Sequence, residues 1–183
     1  MKRPELYRLR EIKSADLERV LKWRNSHRIR SVMFTDNIIT MEEHIEWFKK
    51  VKRREHITSM IFEYNENPAG VVNFTGIDRI GRICSWGFYL GEDSLPPGTG
   101  LAMGYLGLEY AFDNLGVDKV YGEVLDSNTP SVFFHRKLGF VDKKYLPRHL
   151  FKSGKYEDVI FFILTKNAWD IIKNDIKNTI GFC

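Results

Sequence analysis

The stretch that most restricts this chain is Leu95–Leu115, LPPGTGLAMGYLGLEYAFDNL, which runs from a Pro/Gly-rich turn straight into a long apolar helical pattern. It follows directly on the strand-like Trp86–Glu92. A glycine-rich turn lets successive backbone N–H groups converge on one point, and the helix that starts there adds the positive end of its dipole. Such a strand, turn and helix can cradle a phosphate or pyrophosphate without a metal. Its plain reading is a loop leading into a helix.

Two other phosphate-binding patterns are excluded. A Walker loop needs Lys followed by Ser or Thr after its last glycine, whereas Gly100 is followed by Leu101 and Ala102. A dinucleotide fingerprint belongs to the first strand–helix unit and carries an acidic residue roughly 20 positions on. Gly98-Thr99-Gly100 lies mid-chain without that companion.

The 183 residues fit one domain over 1–183, and 43% hydrophobic residues suffice for a full core. A net charge of +4 allows an anionic ligand but is too small to argue for nucleic acid. The only cysteines are Cys84 and Cys183, and neither a secretory signal nor an apolar run of membrane length occurs, so the expected setting is the reducing cytoplasm. The five histidines lack Cys or carboxylate partners at ligand spacing, and no metal is expected.

Alternation over Leu6–Ile12 predicts a strand, and Ser14 is placed to cap a helix carrying Leu17, Val20, Leu21 and Arg24. A polar loop follows Asn25, and then Thr40 and Glu43 form a capping box for a second helix carrying His44, Trp47 and Phe48. Ile57–Tyr64, Ala69–Ile77 and Arg82–Leu90 read as an antiparallel meander. Lys119–Leu125 reads as a strand, and a short helix begins near Asn128 with Pro130 in its first turn. Val141–Leu146 and Asp158–Thr165 form a hairpin around Ser153-Gly154, and Ala168–Lys177 a closing helix whose apolar, Trp-bearing face suits a homodimer contact.

Two stretches then fall in the order used by the GNAT N-acetyltransferases. One is Trp86–Leu115; the other is Asn128–Phe140, NTPSVFFHRKLGF, which is similar to the family's N-x-x-A-x-x-x-Y-x-K-x-G-F. The resemblance implies an α/β (α+β) fold: a mixed, mostly antiparallel twisted sheet of about seven strands, splayed at an acetyl-CoA site and flanked by four to five helices. It implies that Phe88, Tyr89 and Leu90 pair their backbone with the pantetheine arm. It further implies that the amides of Gly98, Thr99, Gly100, Leu101 and Ala102 hold the pyrophosphate, with Asn128 and Ser131 beside the cofactor. Pro97 stands where the family usually has Gln or Arg.

A narrower resemblance joins Trp23-Arg24-Asn25 and His44–Phe48 to the acetyltransferases of pseudaminic acid biosynthesis, which act on the 4-amino group of a UDP-linked 4-amino-4,6-dideoxy sugar. Arg-Asn pairs near this helix also occur in amino-terminal and ribosomal-protein acetyltransferases. For the nucleotide-sugar, Arg24, His44 and Arg28–Arg30 supply charge, and Thr75 and Trp86 line the cleft. Trp23, Trp47 and Phe48 read as core, and His44 equally as a polar-edge residue.

Acetyl transfer needs a base, a polarised carbonyl and a proton for the departing thiolate. Glu123, acting through a water held by Asn73, is the expected base, unless it only pairs a cation across the sheet. The family's acid is Tyr, here His135, with Tyr145 and Tyr121 as substitutes. An imidazole of pKa about 6.5 is only partly protonated at neutral pH, so the acid role requires a pKa raised by Glu123 or by substrate phosphates. The rivals are acetylation of a protein N-terminus or a polyamine, which calls for clustered carboxylates where Glu42, Glu43 and Glu46 read instead as an exposed helix face, and a catalytically silent acyl-CoA-binding module.

Overall fold

The computed structural model describes residues 6–54 and 56–181, so Cys183 lies outside the described residues. Its elements run β1 (Tyr7–Glu11), α1 (Leu17–Asn25), α2 (His27–Arg30), α3 (Met41–Arg53), β2 (Thr58–Tyr64), β3 (Asn67–Asp78) and β4 (Ile83–Leu90). There follow α4 (Thr99–Glu109) with a π-helical turn at Tyr110–Asn114, β5 (Lys119–Leu125), α5 (Thr129–Lys137), β6 (Val141–Lys152), β7 (Lys155–Thr165) and α6 (Lys166–Ile180). The strands form one seven-stranded sheet in the order β1-β2-β3-β4-β5-β7-β6. Only β4 and β5 pair in parallel, joined by the α4 crossover.

Strand alternation sorts the core onto the two faces of the sheet. Met60, Phe62, Val72 and Phe74 turn toward α4 and α6, where they join Ala102, Met103, Leu108 and Trp169. Ile61 and Val71 turn the other way, toward Ile12, Val20, Trp23, Ile29 and Val51 under α1–α3. The sheet is thus covered by two helical layers, and the site lies where its middle opens.

Several local expectations are corrected. Six helices flank the sheet, one more than the sequence indicates, because Ser26 caps α2 inside the predicted polar loop. Ser14 does not cap α1. A 3₁₀ turn precedes that helix, and the Asp16 carboxylate accepts from the Lys13 amide at 2.8 Å while Arg10 holds it bidentately at 2.7 and 2.8 Å. The closing hairpin is longer than predicted because β6 continues past Pro147, where its register shifts and Arg148 adopts a left-handed φ of 50°. Trp169 faces the protein's own core, fully buried, with its indole N–H on Glu109 at 2.7 Å, so the indole is not on the exposed face of α6. No described helix is long and apolar enough to cross a membrane.

Candidate active site

β4 and β5 stay paired only where Ile83–Ser85 meet Lys119–Tyr121; beyond that point Trp86–Leu90 and Gly122–Leu125 diverge. The splay opens a cavity of about 360 Å³ lined by Gly87, Phe88, Tyr89, Glu123, Asn128, Ser131 and His135. A second cavity of about 450 Å³ lies under α1 and α3, lined by Val20, Asn73, His44, Trp47, Ile38 and Glu43. Arg24, Met33, Thr35, Gly87, Phe88 and Tyr89 line both, so the two chambers meet along β4.

The α4 turn has fewer free amides than the cradle read from the sequence would use. Gly98 caps the helix at φ 90°, a conformation that favours glycine, and a Cβ there would meet nothing within 4 Å. The Thr99 amide is spent on the Pro96 carbonyl at 3.2 Å, and the Ala102 amide on Gly98 at 3.0 Å. Among the described residues, no backbone bond of the turn takes up the Gly98, Gly100 and Leu101 amides. The Leu90 carbonyl already accepts from Arg28 at 3.2 Å, which leaves Phe88 and Tyr89 as the freer part of the strand edge.

Asn128 caps α5, its side chain accepting from the Ser131 amide at 3.3 Å, and this sets the helix start against β5. His135, one helical turn on, is 3% exposed. Its Nδ1 lies 2.8 Å from the Ser131 carbonyl, which can only accept, so that nitrogen carries the proton. Its Nε2 therefore accepts from the Trp86 indole N–H at 3.2 Å. The ring stacks on Phe162 at 5.0 Å and meets Phe140 edge-on at 5.0 Å. Burial pulls its pKa down to about 4, so the expected raised value is replaced by a lowered one. In this neutral ring the one N–H is given to the Ser131 carbonyl and Nε2 is an acceptor, so it presents no acidic proton to a thiolate.

The substitute phenols fare no better. Tyr145 is exposed and donates to Asp158, a hydrogen bond that pushes the phenol up to about 12. Tyr121 packs against Phe161 at 5.4 Å, and neither tyrosine lines a chamber. Tyr89 lines both, and burial raises its pKa, so its hydroxyl keeps its proton.

Three buried polar atoms on residues lining the second chamber lack a partner among the described residues: Arg24 Nη1, His44 Nε2 and Asn73 Oδ1. His44 is 4% exposed, which settles it as interior rather than polar-edge, and stacks on Trp47 at 4.9 Å. Burial lowers its pKa, opposed by a hydrogen bond to the Leu17 backbone, so the neutral ring presents a bare Nε2 lone pair. Burial also lowers the Arg24 pKa; its Nη2 donates to the Thr35 carbonyl and hydroxyl, both at 3.0 Å. Among the described residues no carboxylate contacts this guanidinium.

Other expected acceptor residues lie elsewhere. Trp86 lines the first chamber and not the second, buried against Phe88 and Phe140, because alternation along β4 turns it away from Tyr89. Thr75 shares the face of Asn73 but lines neither chamber. Arg28 is taken by Asp93 and by the Leu90 and Gly91 carbonyls, and Arg30 by the Asp36 carbonyl. Sequence reasoning missed residues 32–39, an irregular stretch with no periodicity, which nonetheless walls both chambers. Its one legible sign was Asn25, whose side chain clamps Ile39 by both its amide (2.9 Å) and its carbonyl (2.8 Å). Among the described residues no cluster of three or more His, Cys, Asp or Glu could hold a metal.

The architecture is shared with solved structures. Spermidine N-acetyltransferase from Vibrio cholerae, in complex with CoA and spermine, superposes with a TM-score of 0.84 at 22% identity over 90% of this chain and 98% of that one, a likeness of fold alone. In sequence, the chain is 28% identical to the SPbeta prophage-derived uncharacterized N-acetyltransferase YokL of Bacillus subtilis, over 69% of this chain and 71% of that protein. It is 27% identical to the acetyltransferase PseH of Campylobacter jejuni, over 71% of this chain and 80% of that protein. The acetyltransferase (GNAT) domain family matches residues 7–141, from β1 through α5 and so both walls of the cleft, which makes this protein an acetyltransferase of the GNAT family.

Proposed function

We propose that the protein transfers an acetyl group from acetyl-CoA to the 4-amino group of a UDP-linked 4-amino-4,6-dideoxy sugar, the donor in the splay and the acceptor under α1 and α3. The observation that carries this reading is Arg24: a half-buried guanidinium whose Nη1 is buried and unpartnered, with no carboxylate in contact among the described residues, on the wall of the acceptor chamber. A buried cation without a counterion is costly unless a ligand anion completes it, and a nucleotide diphosphate does so. The unpartnered His44 Nε2 and Asn73 Oδ1 are acceptors, suited to the hydroxyl and amine hydrogens of a sugar.

A polyamine fits this chamber less well. Glu42 and Glu46 lie on the exposed face of α3, Glu46 paired with Lys49 at 2.6 Å. Glu43 does line the chamber, but one of its oxygens caps the Thr40 amide at 2.8 Å.

Acetyl-CoA would be held by the Gly98, Gly100 and Leu101 amides, the edge of Phe88 and Tyr89, and the start of α5 at Asn128 and Ser131; it supplies a thioester carbonyl. Glu123, exposed on β5 in the donor chamber, takes the ammonium proton through water, while Asn73 approaches from the acceptor side. Nitrogen then bonds to the carbonyl carbon, the C–S bond breaks, and the electron pair leaves on sulfur. A thiol of pKa about 8.5 departs readily as thiolate, so no strong acid is required. The second nitrogen proton, released as the amide forms, passes through water to the thiolate, and Tyr89, at the junction, keeps its own proton and can donate a hydrogen bond to the departing sulfur.

Thiol release from acetyl-CoA should be measured with a UDP-linked 4-amino sugar, spermidine and an N-terminal peptide. The expected result is release with the sugar at a kcat/KM at least tenfold above the other two. Preference for spermidine or peptide overturns the acceptor, and no release with any of them favours a silent acyl-CoA-binding module.

A further inference from the structure

The wall shared by both chambers has no secondary structure of its own between Val32 and Thr40, yet it carries Thr35, the partner of Arg24. Such a stretch keeps one conformation only if its backbone polar groups are tied down from outside. Asn25 ties its far end. The near end is tied by Lys152, which stands at the end of β6 more than a hundred residues away in sequence and is 8% exposed. Its Nζ donates to the carbonyls of Arg30 at 3.4 Å, Ser31 at 2.7 Å and Met33. These are the last carbonyls of α2 and its exit, where a cation is favoured by the helix dipole as well. The neighbouring Ser153 hydroxyl donates to Asp36, whose carbonyl accepts from Arg30 at 2.6 Å.

Lys152 and Ser153 lie beyond residue 141, where the family match stops. Buried lysines normally face a carboxylate. Here the nearby Asp36 and Glu157 carboxylates act on Lys152 only through their charge, Asp36 accepting from Ser153 and Glu157 pairing with Lys155 at 2.7 Å, and all three ammonium hydrogens go to backbone carbonyls.

We propose that Lys152, aided by Ser153, is the positioning residue of the acceptor chamber: the β6–β7 turn clamps residues 30–36 so that Thr35 holds the Arg24 guanidinium toward the acceptor. This rests on the second chamber being the acceptor site. It assigns the terminal hairpin, outside the family match, a part in acceptor affinity. The donor cradle of α4 has no bond to the clamp, so the two substrates should respond differently.

The test is Lys152→Met, with Ser153→Ala as the milder variant that keeps the cation and Lys155→Met as the control on the same turn. Amide hydrogen exchange of residues 30–36 and separate KM values for acceptor and acetyl-CoA are the readouts. Lys152→Met should speed exchange at residues 30–36 at least tenfold and raise the acceptor KM about tenfold, with kcat and acetyl-CoA KM within twofold. Ser153→Ala should shift the same two readouts in the same direction by about threefold, and Lys155→Met should shift neither. Unchanged exchange at 30–36 overturns the clamp. Faster exchange with an unchanged acceptor KM, or with both KM values and kcat changing together, overturns the positioning role. If the wild-type protein prefers another amine, the acceptor reading fails in that wild-type panel alone, and the KM comparison proceeds with the preferred amine.

Discussion

Each chamber of the cleft rests on a buried histidine, and the two are in opposite situations. His135, on the donor side, gives its Nδ1 hydrogen to Ser131 and receives the Trp86 N–H on Nε2. His44, on the wall of the second chamber, is likewise buried and its pKa is likewise lowered by burial, yet its Nε2 meets nothing among the described residues. Burial and a shifted pKa therefore do not separate a structural histidine from a binding one. What separates them is whether the second nitrogen is already satisfied, because a buried acceptor left bare costs about 1–3 kcal/mol and is retained where a ligand completes it.

The largest effect that can break this comparison is the acid stability of the donor side. The His135 pKa is about 4 in the folded state against about 6.5 in the unfolded chain, so the unfolded state binds the proton first. Stability from this group is present above pH about 6.5, declines as the pH falls, and is lost below about 4, a total of about 3 kcal/mol. His44 acts in the same direction. In urea unfolding, His135→Leu should lower stability at pH 7 by about 2 kcal/mol, through the unpaired Trp86 N–H, and flatten the pH dependence. A variant that keeps the wild-type pH slope would show that His135 is not held neutral.

Next in size is Arg24. Arg24→Met should raise the KM of a nucleotide-sugar acceptor about 100-fold through the loss of charge-assisted hydrogen bonds, with acetyl-CoA KM within twofold. Steady-state kinetics with each substrate varied in turn measure it, and a change confined to kcat would detach Arg24 from the acceptor. The smallest effect sharpens the contrast. His44→Phe keeps the stack on Trp47 and removes the bare lone pair, so unfolding stability should change by less than about 1 kcal/mol while the acceptor KM rises about tenfold. A large loss of stability would make His44 the same kind of residue as His135.

The donor half was legible in the amino-acid sequence because its parts are local. Gly98 and Gly100, the apolar run of α4, and Asn128 with Pro130 each specify a turn or a helix start through short-range stereochemistry, and strand β5 falls where alternation places it. Even there, the state of His135 was not legible. Its pKa depends on Trp86, Phe140 and Phe162, which reach the ring from three different strands or loops.

The acceptor half was mostly beyond such reading. Residues 32–39 carry no periodicity, and their conformation is imposed by Asn25, Arg24 and Lys152 through hydrogen bonds that span up to 122 residues of chain. What the sequence by itself determined is the order of strands and helices, the glycine-rich turn into α4 and the alternation that sorts the two faces of the sheet. Only the tertiary structure decided which buried polar atoms find partners and which stay open, since satisfaction of a hydrogen bond is a property of neighbours brought together by folding. That distinction sets His44 and Arg24 apart from His135 and Trp86 as groups still lacking a partner.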